Sequence, residues 1–98
     1  MTLLARQVRL PSGEIDLVMR DGGETVCVEV RTRRASAPGG AAESLTPSKV
    51  ERMWRCAMEY AELHGIDPES IRLDAVALEV DLSGHVVEVE HFRGVGAD

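Results

Sequence analysis

With 98 residues, 44% of them hydrophobic, the chain has material for one small domain and one modest core. No apolar run approaches the roughly 20 residues of a membrane span, and Met1 to Arg6 is too short and soon too charged for a signal peptide. A net charge of −6 argues against general nucleic-acid affinity, and Cys27 and Cys56 form neither a CxxC motif nor a disulfide framework. Reduced thiols and a cytoplasmic location, with no membrane partner, are expected.

Leu3 to Leu10 reads as a first strand, ended by Pro11-Ser12-Gly13. Gly13 to Arg20 alternates polar and apolar residues with a period of two, and so does Val26 to Thr32. Asp21-Gly22-Gly23-Glu24 between them is a tight-turn signal. A loop of two or four residues pairs Arg20 with Thr25. Counting back sets Asp16 opposite Glu29 and Glu14 opposite Arg31. One face then carries Ile15, Leu17, Met19, Val26, Val28 and Val30. The other carries Glu14, Asp16, Val18, Cys27, Glu29 and Arg31.

Residues 33–44, rich in Arg, Ala, Gly and Pro, read as a flexible loop rather than a domain linker. Thr46 is the expected N-cap of a helix with Pro47 at its first position. Val50, Met53, Trp54, Ala57, Met58 and Ala61 form its apolar stripe, and Gly65 its stop. Ile71 to Val80 is a strand whose centre, Ala75 to Leu78, is apolar on both faces. Asp81 to Gly84 turns the chain into a last strand, His85 to Phe92, and residues 94–98 are a frayed tail. The order β-β-β-α-β-β, with a helix between the third and fourth strands, predicts a mixed sheet of about five strands in an α/β fold.

Asp16 and Glu29 side by side repel by about 0.2–1 kcal/mol when solvated, a penalty that a cation between them would reverse. Mg²⁺ and Mn²⁺ take hard oxygen ligands and usually keep several waters. Two strand carboxylates and a main-chain carbonyl such as that of Val30 make an open site of that kind. Arg31, two residues after Glu29, projects from the same face and would stabilise charge on a phosphate. Relief of the repulsion predicts slight stabilisation when either carboxylate is neutralised without metal.

Charge along the chain is uneven. Residues 31–55 hold six basic groups and two acidic ones, whereas residues 56–98 hold two basic and ten acidic. Arg33, Arg34, Lys49 and Arg52 are the candidate phosphate contacts. Each residue also has a plainer reading. Glu14 and Arg31 form a cross-strand ion pair, Lys49, Arg52 and Arg55 are the wet side of the helix, Asp74 pairs with Arg72, and Trp54 is core. His64, His85 and His91 show no metal-ligand spacing.

Leu4-Ala5-Arg6-Gln7, Gly13-Glu14-Ile15-Asp16-Leu17-Val18, Val28-Glu29-Val30-Arg31-Thr32-Arg33, Leu45-Thr46-Pro47-Ser48-Lys49 and Arg72-Leu73-Asp74-Ala75-Val76-Ala77 occur in that order. Together they resemble the YraN-like family of small bacterial proteins, the uncharacterised protein family 0102, over about residues 4–92. That family resembles Holliday-junction resolvases and the restriction-endonuclease-like PD-(D/E)xK superfamily, in which an acid on one strand precedes Glu-x-Lys on the next.

The resemblance implies a single nuclease-like domain over residues 1–98 that hydrolyses DNA phosphodiester bonds, with branched DNA as one substrate form. It implies Asp16 and Glu29 as Mg²⁺ or Mn²⁺ ligands with Val30, and Arg31 and Glu14 as their catalytic companions. Two departures stand out. Arg31 occupies the position of the family's Lys, and Arg does not readily carry a proton. The family's N-terminal helix is missing before the first strand, which implies either an upstream start or a reduced form. The alternative is a catalytically silent nuclease-like domain that binds nucleic acid or a protein partner. A third is a structural β-rich module. Open sheet edges point to a homodimer.

Overall fold

A computed structural model describes residues 1–34 and 45–96. β1 (Thr2–Leu10), β2 (Gly13–Asp21) and β3 (Glu24–Arg34) precede α1 (Pro47–His64), and β4 (Ile71–Val80) and β5 (Val86–Phe92) follow it. The strands form one mixed sheet in the order β1-β2-β3-β4-β5. Only β3 and β4 pair in parallel; the other neighbours are antiparallel. A parallel pair needs a long crossover, and the segment containing α1 supplies it. The fold is therefore α/β, as the alternation of patterns predicts.

Gly22 adopts φ 60° in the two-residue turn between β2 and β3, a left-handed value that glycine takes at little cost. Arg20 pairs with Thr25, the register that the period-two pattern predicts. β3 runs on through Arg33 and Arg34, which the sequence placed in a loop. These residues keep parallel pairing with Glu79 and Val80, so sheet contacts override the local composition. The rest of that expected loop, residues 35–44, lies outside the described residues.

Helix α1 starts and stops where its chemistry dictates. The Thr46 side chain accepts the Lys49 N–H, Pro47 sits in the first turn, and Gly65 closes the helix at φ 65°. Met53, Cys56, Ala57, Tyr60 and Ala61 form its buried face. Cys56 and Tyr60 join the predicted stripe, in which Val50, Trp54 and Met58 are half-buried and the last two pack against the core. This face packs with Ile15, Val18, Cys27, Ile71 and Leu73 in one core. Among the described residues no helix is long and apolar enough to cross a membrane.

A polar cluster ties β4 to its surroundings. The Asp74 side chain is 0% exposed. It accepts two hydrogen bonds from Arg72 at 2.9 and 3.0 Å and one from the Gly94 N–H at 3.1 Å. His91 Nε2 lies 2.7 Å from its second oxygen. Arg72 also reaches Asp21 at 3.0 Å and Glu24 at 2.9 Å, so the turn between β2 and β3 is held by the same guanidinium. Gly94 and Val95, expected in a frayed tail, are hydrogen-bonded to Asp74 and to the Leu73 carbonyl. Residues 97–98 of that tail lie outside the described residues. His91, given no role by sequence spacing, acts here as a structural partner.

Burial pushes the Asp74 carboxyl up, but hydrogen bonds from Arg72, Gly94 and His91 outweigh it and hold the group below the usual carboxylate range. A depressed carboxyl stabilises the fold above its unfolded value, about 3.9. That contribution disappears as pH falls through the lower folded value. Asp74→Asn is expected to lower stability by about 3–5 kcal/mol at neutral pH, because it strands buried donors. Urea unfolding at pH 7 checks the magnitude, and the variant should show a smaller further loss than the parent as pH is lowered below 4.

Candidate functional site

Asp16 sits where two strands change the face they present. Ile15 and Val18 both pack into the core beneath α1, although they are three residues apart. Regular alternation would put them on opposite sides. Ala5 and Val8 of β1 do the same. Between them Gln7 has φ 51°, the one positive value for a non-glycine residue among the described residues. Pairing of β1 with β2 joins Val8 to Ile15 and Arg6 to Leu17 but leaves out Gln7 and Asp16.

The paired register of β2 with β3 also ends here, at Leu17 and Val28. Beyond that point Asp16 Oδ2 accepts the Val30 N–H at 2.7 Å. A side-chain carboxylate thus serves β3 where a main-chain carbonyl would continue the ladder. This corrects two expectations. Asp16 and Glu29 are not a directly opposed ladder pair, and Ile15 packs with Val18 and Cys27 rather than on the face expected to carry it with Leu17 and Val28. The cause is the local face change, which a strict period-two count cannot include.

Glu29 points beneath α1 and meets two arginines. Its Oε1 lies 3.2 Å from Arg52 Nη2 and its Oε2 lies 3.5 Å from Arg31 Nη1. Oε2 is buried and makes no hydrogen bond. Arg31 therefore pairs with its own strand neighbour, whereas Glu14 pairs with Arg9 at 3.6 Å. The expected Glu14–Arg31 ion pair is not among these contacts. The arginines also work against the stabilisation expected from neutralising Glu29, since Glu29→Gln removes attractions along with any repulsion from Asp16.

Glu14, Asp16, Cys27, Glu29, Arg52 and Cys56 line one cavity of ≈ 10 Å³. That is room for about one water. Asp16 borders a second, open hollow of ≈ 330 Å³ with Arg6, Gln7, Leu17 and Val30. The site is thus a carboxylate-bearing cleft between β2, β3 and α1, open on the β1 side. Burial, and then Cys56, pushes the Cys27 thiol up to about 12. Burial, and then Glu59, also pushes the Cys56 thiol up. Neither is a thiolate at neutral pH, so the cavity has no cysteine nucleophile.

The predicted basic residues are dispersed. Arg33 pairs with Glu79 at 3.7 Å, Arg34 is exposed at the end of β3, and Lys49 lies in the first turn of α1. Arg52 is the member of that set that touches a cavity carboxylate. Its link to Glu29 was not legible in the sequence; it follows from the position of Arg52 one turn before the buried Cys56, at the edge of the buried face. Arg6 and Gln7 were missed as neighbours of Asp16, because nothing in the local sequence announces a left-handed Gln7. Among the described residues no three His, Cys, Asp or Glu side chains converge into a ready metal cluster. Asp16 and Glu29 offer hard oxygen atoms, and the unbonded Glu29 Oε2 is the kind of buried acceptor that a cation would satisfy.

The chain belongs to Uncharacterised protein family UPF0102, whose sequence profile matches residues 1–78. It is 45% identical over 96 residues to a UPF0102 protein of Kineococcus radiotolerans, covering 97% of this chain and 78% of the relative. A UPF0102 protein of Roseiflexus castenholzii is 43% identical over 91% of this chain and 73% of its own length. One of Beutenbergia cavernae is 40% identical over 98% of this chain and 80% of its own length.

The left-handed Gln7 gives the site a testable cost. Gln7→Gly should raise stability by about 0.5–1 kcal/mol, because relief of left-handed strain exceeds the entropy cost of glycine. The urea midpoint reads this out. A fall in stability would mean that the Gln7 side chain holds the face change in place.

Proposed function

From that membership and this cleft, we propose that the protein is a restriction-endonuclease-like domain of the PD-(D/E)xK type that hydrolyses DNA phosphodiester bonds with Mg²⁺ or Mn²⁺. The observation that carries the reading is the meeting of Asp16 and Glu29, from adjacent strands, at one cavity where the β2–β3 ladder opens. The likeness of the family to Holliday-junction resolvases makes branched DNA the first substrate to test.

Asp16 and Glu29 would hold the cation, with the Val30 carbonyl as the main-chain ligand. When bound, such an ion polarises a phosphoryl oxygen and lowers the pKa of a bound water. The remaining work falls to the chain itself. The Val30 N–H fixes the orientation of Asp16. Arg31 places positive charge beside Glu29 for the phosphate as charge builds on it. Glu14 lines the same cavity and adds negative charge at its mouth. Arg33, Arg34, Lys49 and Arg52 supply contacts to the DNA backbone.

A specific observation favours a second reading, that of a catalytically silent nucleic-acid-binding domain. Arg31 stands where the family pattern has Lys, and both Glu29 oxygens face arginines. In that reading the carboxylate is internally neutralised and the cleft binds without cutting.

Calorimetry with Mn²⁺ should show weak binding that is lost in Asp16→Asn and in Glu29→Gln. A gel assay on a four-way junction and a matched duplex should show slow Mn²⁺-dependent cleavage that Asp16→Asn abolishes and Arg31→Lys accelerates. Metal binding without cleavage in either Arg31 form would favour the silent domain. Unchanged metal affinity in both carboxylate variants would reject the cation site itself.

DNA affinity should fall steeply with salt. Replacing Arg33, Arg34, Lys49 and Arg52 with Ala should flatten the slope of log K against log salt by about 3–4. A salt-independent affinity would point to a protein partner.

A further inference from the structure

Arg52 occupies the place on Glu29 that a cation would need. Its Nη2 lies 3.2 Å from Glu29 Oε1, and its side chain is 44% exposed against 13% for Glu29. The guanidinium therefore bridges from solvent into the cleft. The cavity that it helps to line measures ≈ 10 Å³. One water fills such a space, whereas Mg²⁺ usually keeps several. Arg52 has to leave Glu29 Oε1 before a partly hydrated cation can take that oxygen.

The same side chain has a stronger partner available. A guanidinium can take a phosphate through two parallel N–H bonds, and such charge-assisted pairs are among the strong ones. Arg52 makes one hydrogen bond to Glu29 at 3.2 Å, longer than the usual charged contact. It also stands three residues after Lys49, on neighbouring helical positions. A DNA backbone lying along that face would meet both.

We propose that Arg52 is a phosphate-released plug: it caps Glu29 in the free protein and leaves it when a DNA phosphate takes the guanidinium, opening Glu29 to a divalent cation. The inference rests on the reading of Asp16 and Glu29 as cation ligands and adds the order in which substrate and cation load. Arg52 acts through Glu29 and is a positioning residue. Because binding linkage is reciprocal, removing either member of the pair should favour the ligand that competes for the other.

Two measurements test this. The first is Mn²⁺ affinity by calorimetry in the parent, Arg52→Met and Arg55→Met. Arg55 carries the same charge on the same helix but pairs with Glu51 at 3.9 Å. Arg52→Met should bind Mn²⁺ about fivefold more tightly than the parent, the equivalent of one partly exposed ion pair, with little change in Arg55→Met.

The second is DNA affinity in the presence of a chelator, by fluorescence anisotropy of a labelled duplex. Glu29→Gln frees Arg52 and should tighten binding about threefold. Glu62→Gln, the same charge change on the exposed end of α1, should not reproduce it.

Equal Mn²⁺ affinity in the parent and Arg52→Met, with binding lost in Glu29→Gln, overturns the plug and leaves the cation site standing. No Mn²⁺ binding in any form overturns both. Should Arg52→Met fail to fold, the DNA arm decides. Equal effects of Glu29→Gln and Glu62→Gln, or no DNA binding by any form, would reject the exchange.

Discussion

A fully buried carboxylate, Asp74, holds the two halves of this small sheet together. Taking an ion out of water costs several kcal/mol unless partners replace the water. Here Arg72, His91 and the Gly94 N–H do so. Those partners come from β4, β5 and the segment after β5, and Arg72 reaches on to the β2–β3 turn through Asp21 and Glu24. The cluster therefore fixes β4 against β5 and fixes the hairpin against β4. The hairpin is the element that carries Asp16 and Glu29. Asp74 pairs in register with Val28 and its neighbour Ala75 with Glu29, so the anchor on β4 lies directly beside the cleft residue of β3.

The cleft itself depends on a local departure from regular sheet. β1 and β2 change faces together at Gln7 and Asp16, and the Val30 N–H is satisfied by a side chain. Such a departure is unfavourable when isolated. It persists because Ala5, Val8, Ile15 and Val18 all gain burial beneath α1 on either side of it. The same helix that compensates for the irregularity delivers Arg52 to Glu29. Core packing and charge placement at the cleft are therefore one arrangement.

The elements were legible because each has a local physical cause. Thr46 and Pro47 announce the helix start, Gly65 its end, and Gly22-Gly23 the hairpin turn. The register followed from alternation, as the pairing of Arg20 with Thr25 shows. What sequence did not reveal was set by contacts distant along the chain. The extension of β3 to Arg34 comes from pairing with β4. The role of His91 comes from an acid 17 residues away. The face change at Asp16 defeats a period-two count, so the count named the cleft residues but gave the wrong geometry for Ile15. Arg52 was named for its charge, and only the fold showed which acid it meets.

Charge placement gives the cleft its chemical character. A chain of net −6 repels a polyanion at long range, and the acidic cavity would add to that repulsion. Arg31 and Arg52 oppose it locally by pairing with Glu29. At about 8 Å of screening length in physiological salt, the distant acids of β5 matter less to an approaching phosphate than these nearby arginines. The same neutralisation lowers the attraction of Glu29 for a bare cation. In the proposed reading a ligand would have to disturb an ion pair to reach Glu29, which charge alone does not do. The planar fork of Arg31 holds carboxylate and phosphate well but yields a proton poorly. If the cleft hydrolyses a phosphodiester as proposed, its proton acceptor must therefore be a carboxylate or a solvent molecule rather than the residue at position 31.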